Sequence, residues 1–311
     1  IILVGDPNQL PPIGVGRPFA DLVGTLEMAE ASENPREKAL AGALGKLTVE
    51  VRSAAEGPSD TLNLASWFTR EQQPADADRV FSELAFGGSF NDLEIRYWNT
   101  PNDLEQEIFD AFQEHLGLAS PDDIEGFDKA LGLTEQRWVP YDDPKGAENF
   151  QILSPVRMHP YGIYAVNRLI QGQYRADELA RARRNRRIKL GDEEIVIRDK
   201  VIQIMNQRRR AYDVNARAQE QLYVANGEVG ICANESKGHH YLNVVFSERP
   251  GYTIGYRRGE FASGSGPLEL AYALTIHKSQ GSEFQSVFVI LPRHCRLLSR
   301  ELLYTALTRS R

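Results

Sequence analysis

Three stretches of this chain place polar and charged groups just beyond an apolar run. The first is Gly5-Asp6-Pro7-Asn8-Gln9-Leu10-Pro11-Pro12, after Ile1-Ile2-Leu3-Val4. The second is Thr275-Ile276-His277-Lys278-Ser279-Gln280-Gly281-Ser282-Glu283-Phe284, and the third is Tyr304-Thr305-Ala306-Leu307-Thr308-Arg309. In open α/β sheets ligands bind beyond the carboxyl ends of the strands, so chemistry belongs at such places. The amide of Gln9 can donate to one group and accept from another. Gly281 permits a tight turn after its strand. Arginine is a permanently charged planar fork, the group that stabilises charge on a phosphoryl in transfer.

One part of phosphate chemistry is missing from the sequence. A phosphate-binding loop needs Gly-x-x-x-x-Gly-Lys-Ser/Thr, so that backbone amides, a lysine and a magnesium-binding hydroxyl converge. Gly42-Ala43-Leu44-Gly45-Lys46-Leu47 comes nearest, but position 40 is Leu and Leu47 replaces the hydroxyl residue. No acidic pair follows a strand ahead of Gly5.

The three stretches resemble motifs III, V and VI of superfamily 1 helicases, in that order, especially the RecD-like branch and its UvrD-like C-terminal region. The resemblance implies a RecA-like, P-loop NTPase-type α/β fold with a parallel sheet. It implies an ATP-dependent DNA helicase, with ATP and Mg2+ held mainly by a part upstream of Ile1, and a role in DNA repair. Arg309 matches the motif VI arginine. Arg52, in Val49-Glu50-Val51-Arg52-Ser53, matches an arginine that follows the first domain. Gln9 matches the motif III glutamine, between the γ-phosphate and DNA in relatives; the bland alternative is a side chain that stabilises its own Pro-rich turn. Gln280, Gly281 and Glu283 are expected to face nucleotide, and Thr275, His277 and Lys278 to face the single strand. Ser154 and Pro155, in Ile152-Leu153-Ser154-Pro155-Val156-Arg157, match a strand-end motif that meets the DNA backbone. Contacts of that kind are blind to sequence. Nothing between Arg70 and Asn149 resembles a motif with a mechanism.

The composition fits such a protein without demanding it. The chain is 311 residues with ordinary apolar and charged fractions, enough for two domains or one with an insertion. No signal peptide and no run long enough to span a membrane is visible. Two cysteines, Cys232 and Cys295, suit a reducing cytoplasm rather than a disulfide framework. Cys232 with His239 and His240 lacks the further ligand a zinc site needs, so no metal site is expected. The net charge is −7, yet from Arg157 to Arg210 fourteen Lys/Arg face six Asp/Glu. Solvated faces explain such a run as readily as phosphate contact does.

These residues need elements to hold them. Ile1 to Val4 reads as a buried parallel strand caught in mid-domain, which places the native start upstream. Thr100 reads as an N-cap with Pro101 at the first helical position, Leu104, Ile108, Ala111 and Phe112 at helical spacing, and Gly117 as the stop. Strands are expected at Leu93 to Trp98 and at Gln151 to Pro155, then a helix from Tyr161 to Tyr174. From Gly191 to Pro267 short apolar runs recur: 195–197, 201–205, 222–225, 228–231, 241–246 and 252–256. Asn226-Gly227 reads as a two-residue hairpin turn. Strands at this spacing predict a small antiparallel barrel of SH3-like kind inserted into the α/β domain. The expected organisation is 1–50 as the tail of a first RecA-like domain, 51–190 and 268–311 as a second, and 191–267 as the inserted barrel. RecD-like motors carry a small barrel and generally move 5′ to 3′, whereas UvrD-like ones carry a large helical insertion; the small, strand-rich insertion here therefore implies, by resemblance, movement from 5′ to 3′ on single-stranded DNA or tailed duplex. The chain alone should not hydrolyse ATP. An RNA helicase of the same superfamily, or a non-catalytic nucleic-acid-binding module, would share these features.

Overall fold

A computed structural model describes residues 1–12, 14–47, 59–69, 73, 77–86, 90–184, 188–236, 241–262 and 266–311. Arg52, Arg186, Arg187, His239, His240 and most of the expected 47–51 strand lie outside them. Helices α1 (Pro18–Glu30), α2 (Pro35–Ala41), α3 (Asp60–Ser66) and α4 (Ala77–Phe86) come first. Helices α5 (Pro101–Leu116) and α6 (Ile124–Ala130) precede strand β1 (Phe150–Ser154), which leads to α7 (Ile163–Tyr174) and α8 (Ala176–Arg183). Six strands follow: β2 (Lys200–Gln203), β3 (Gln207–Asp213), β4 (Ala218–Val224), β5 (Val229–Ser236), β6 (Tyr241–Phe246) and β7 (Tyr252–Arg257). The chain closes with β8 (Leu268–Leu270), β9 (Ala273–Thr275), β10 (Ser286–Val289) and α9 (Arg300–Leu307). No helix among the described residues is long and apolar enough to cross a membrane.

The chain divides into two compact units: residues 1–95 with 296–309 and 311, and residues 96–295 with 310. The first is helical. Ser59 caps α3 by accepting from Leu62 N, and Ser299 caps α9 by accepting from Leu302 N. Leu64, Ala65, Val80, Leu302 and Ala306 are buried in it.

The second unit contains a three-stranded parallel sheet in the order β10-β1-β9. All five residues of β1 are buried, as expected of a strand flanked on both edges and covered on both faces. Helix α5 has the predicted capping box between Thr100 and Asp103, and Gly117 ends it at φ 71°. Its Phe112 meets Phe127, Phe150 and Phe288 at ring distances of 5.4 to 6.0 Å. Between β1 and β9 the chain leaves to build a seven-stranded antiparallel sheet, order β4-β3-β7-β6-β5-β2-β8.

Several expectations fail for one physical reason, which is that a strand needs a neighbour. Ile1 to Val4 is not a strand, and these residues are exposed, because no described segment pairs with them. Leu93 to Trp98 forms no strand and joins no ladder. Ile195 makes only an isolated bridge to Leu190. Asn226-Gly227 does form a turn, with Ala225 O accepting from Glu228 N at 3.3 Å and Gly227 at φ 101°. It is a corner and not a hairpin, because β4 pairs with β3 while β5 pairs with β6 and β2. The antiparallel sheet has two ends, β4 and β8, and no ladder closes it into a ring among the described residues. Strand β3, with its three consecutive arginines, was not anticipated.

Candidate nucleotide and nucleic-acid site

Strands β1 and β9 run side by side, and Ser154 stands opposite Thr275 in their register. Two segments far apart in sequence therefore end at one edge of the parallel sheet. Ser154 is fully buried; its hydroxyl donates to Tyr161 O at 3.4 Å and accepts from Val156 N at 3.3 Å. Pro155, also buried, ends the ladder because it has no N–H. The loop then folds back so tightly that a Cβ on Gly162 would lie 2.5 Å from Arg157 O.

Beyond β9 the chain turns at once. Thr275 O accepts from Lys278 N at 2.9 Å and from Ser279 N at 3.2 Å, and the Thr275 hydroxyl accepts from Lys278 N at 3.3 Å. The buried Ser279 hydroxyl donates to Ile276 O at 2.9 Å. Gly281 sits at φ 86° with open space where a Cβ would stand, so backbone conformation and not crowding demands glycine. His277 is exposed; partial desolvation and then the nearby Arg157 charge hold its pKa below the ordinary imidazole value. Ser154, Pro155, Thr275, His277 and Lys278 are thus gathered on one edge, with Arg157 added.

Lys278 is not idle there. Its ammonium donates to Glu269 Oε2 at 2.5 Å, with both side chains partly buried. Glu193, close behind, accepts from Leu270 N at 2.7 Å. Burial pushes its carboxyl up to about 7, and the charge of Glu269 adds to the rise. Neither glutamate carries a sequence motif. Only the return of β8 to the foot of β9 brings them to Lys278. If Lys278 meets phosphate, Glu269 competes with it. Replacing Glu269 with Gln is expected to strengthen single-strand binding by up to about fivefold, the range of a half-exposed pair. Fluorescence anisotropy at low salt measures it; an unchanged or weaker affinity contradicts the competition.

Gln280 and Gly281 are exposed and Glu283 is half-buried.

In the first unit the two ends of the chain meet. Leu10 N donates to the Thr305 hydroxyl at 2.9 Å, and that hydroxyl donates to Glu301 O at 2.6 Å. Arg17 pairs with Glu301 at 2.8 Å. The Gln9 loop and the Arg309 helix are therefore held together. Gln9 itself donates its side-chain amide to Asp6 Oδ2 at 3.2 Å, within its own turn. Arg309 is 4% exposed, with Nε donating to Thr305 O at 3.0 Å and Nη2 to the Thr308 hydroxyl at 3.3 Å. Its fork closes on the carboxyl end of α9.

A family model described as the UvrD-like helicase C-terminal domain matches residues 270–311. An uncharacterised protein of Methanocaldococcus jannaschii is 27% identical over the whole chain, which covers 26% of that protein. The ATP-dependent RecD2 DNA helicase of Deinococcus radiodurans is 26% identical over the whole chain, which covers 31% of it. The RecBCD enzyme subunit RecD of Mycobacterium tuberculosis is 41% identical over 92 residues, 29% of this chain and 14% of that one. The chain spans less than a third of each relative's length. Residues 270–311 are thus similar to the UvrD-like helicase C-terminal domain, and the chain as a whole is similar to a part of a RecD-like DNA helicase.

Proposed function

We propose that this chain is the C-terminal portion of an ATP-dependent DNA helicase that moves on single-stranded DNA from 5′ to 3′. Residues 1–50 end a first RecA-like domain, 51–190 and 268–311 make the second, and 191–267 is its small inserted β domain of SH3-like kind. Ser154, Pro155, Thr275, His277 and Lys278 take the strand backbone. Gln280, Gly281 and Glu283 face the nucleotide, while Arg309, Arg52 and Gln9 respond to its terminal phosphate. Phosphate cradle and Mg2+ come from elsewhere in the longer protein. The observation that carries this reading is the register of Ser154 with Thr275, which brings two backbone-contact motifs to one sheet edge. The exposed Arg157 and His277 and the Lys278 ammonium there suit a strand read without regard to sequence.

The test is unwinding by the full-length protein with ATP, on duplexes carrying either a 5′ or a 3′ single-stranded tail. Opening of the 5′-tailed substrate only is expected. Opening of the 3′-tailed substrate only would contradict the polarity, and opening of neither would contradict the motor. Preference for RNA tails would move the assignment to an RNA helicase.

A further inference from the structure

The basic segment from Arg157 to Arg210 is sorted by the structure into used and unused arginines. Arg175 is buried against Asp128, Arg183 pairs with Glu194, and Arg198 pairs with Glu178. Arg209 lies over the Tyr256 ring at 3.9 Å and pairs with Glu260 at 2.8 Å. Its two neighbours on β3 differ. Arg208 and Arg210 are exposed, and neither makes an ion pair among the described residues.

The ladder shows what accompanies them. β3 and β4 are antiparallel, with Arg208 opposite Tyr223, Arg210 opposite Gln221 and Tyr212 opposite Gln219. Opposed residues share a face, and so do alternate residues along a strand. Arg208, Arg210, Tyr212, Gln219, Gln221 and Tyr223 therefore stand on one face, and all six are exposed. The acids of the ribbon, Asp213 and Glu220, fall on the other face by the same alternation. That second face turns inward: Ala211 and Val224 are buried and Arg209 is engaged. β4 is the end strand, and β7 ladders only with Ala211 to Asp213, so among the described residues the backbone of the arginine end of the ribbon is laddered to β4 alone.

A strip with two unpaired guanidinium groups, two exposed phenol rings, two amides and no carboxylate has a specific complement. Guanidinium binds phosphate, and phenol rings stack on bases that are free of a duplex. We propose that the outer face of the β3–β4 ribbon is a second contact for single-stranded nucleic acid, apart from the edge formed by β1 and β9. The arginines take phosphates and the tyrosines take bases. The proposal shares its ligand with the motor reading but uses none of that reading's motif residues.

The test is anisotropy of a labelled oligothymidylate, long enough to reach both places, with the 311-residue chain over a range of salt. Arg208→Ala with Arg210→Ala should weaken binding on the order of tenfold and flatten the log–log salt slope by about 1.4, the share of two contacts. Tyr212→Ala with Tyr223→Ala should weaken binding about tenfold or more at an unchanged slope. Tyr212→Phe with Tyr223→Phe should bind as the parent does, because the rings remain. All these residues are exposed, and far-ultraviolet circular dichroism checks that the sheet persists. Unchanged affinity and slope in the arginine variant overturns the proposal. Equal loss on a blunt duplex, with no effect of the tyrosines, also overturns it in favour of a duplex-backbone contact. Lys278→Ala in the same assay separates the two sites: loss there with parental binding by the ribbon variants refutes this proposal and leaves the earlier reading standing, while loss in the ribbon variants with parental binding by Lys278→Ala refutes only the earlier one.

Discussion

In the full-length protein, Arg309→Ala should lower the maximal rate of ATP hydrolysis by about 10³-fold, the lower end for arginines that stabilise phosphoryl transfer. DNA affinity should change little. Arg309→Lys should restore little, because an ammonium cannot reproduce the planar fork. The structure adds a demand on this experiment. Arg309 is buried and donates to Thr305 O and the Thr308 hydroxyl, so its loss also touches the end of α9. A purely structural part would lower the melting temperature along with the rate. The proposed part lowers the rate in a protein that melts near the parent's temperature and still binds single strands. Near-normal turnover by Arg309→Ala would remove this arginine from the nucleotide site.

Arg175→Ala is expected to destabilise the second unit by up to about 3–5 kcal/mol, the cost of breaking a buried ion pair, with Arg137 remaining as a partner of Asp128. Arg175 is fully buried and lies 2.8 Å from Asp128 Oδ1, and Asp128 is 1% exposed. The guanidinium also donates twice to Arg198 O, at 3.1 and 3.0 Å, and once to Tyr174 O at 3.0 Å, and it lies 5.4 Å from the Phe127 ring. For a unit of this size that is a fall in melting temperature of roughly 6–20 °C. The double change Arg175→Met with Asp128→Leu should cost less than the sum of the single changes, because it leaves neither member of the buried pair facing an empty partner; the partly exposed Arg137, which also pairs with Asp128, keeps Glu178 and solvent. Calorimetry of the three variants decides. Additive losses would mean that the two side chains do not interact.

What the sequence alone could convey follows the range of the forces involved. Helix α5 was readable to its last residue, because its cap, its proline, its apolar spacing and its glycine stop act within a turn or two. β1, β6 and β7 were readable as apolar runs. The pairing of strands was not, since a ladder depends on segments that the local sequence does not name. Ile1 to Val4 has a strand's composition and no partner strand among the described residues. Asn226-Gly227 has a hairpin's composition, yet its flanking strands pair elsewhere. β3 hid behind three arginines that no apolar alternation marks; only its register with β4 separates Arg209 from Arg208 and Arg210. The same limit applies to the site. Motif residues at Ser154, Thr275, His277 and Lys278 could be picked from the sequence, but the Glu269 carboxylate that holds Lys278 could not.

The central claim is that the edge formed by β1 and β9 takes the backbone of a single strand, with Lys278 as one of its phosphate contacts. The salt dependence of single-strand binding, parent against Lys278→Ala, reads it directly. Loss of one phosphate contact flattens the plot of log affinity against log salt by about 0.7 on single strands, whatever the base sequence. That flattening is expected, with weaker binding at low salt and convergence at high salt. An unchanged slope in Lys278→Ala would contradict it.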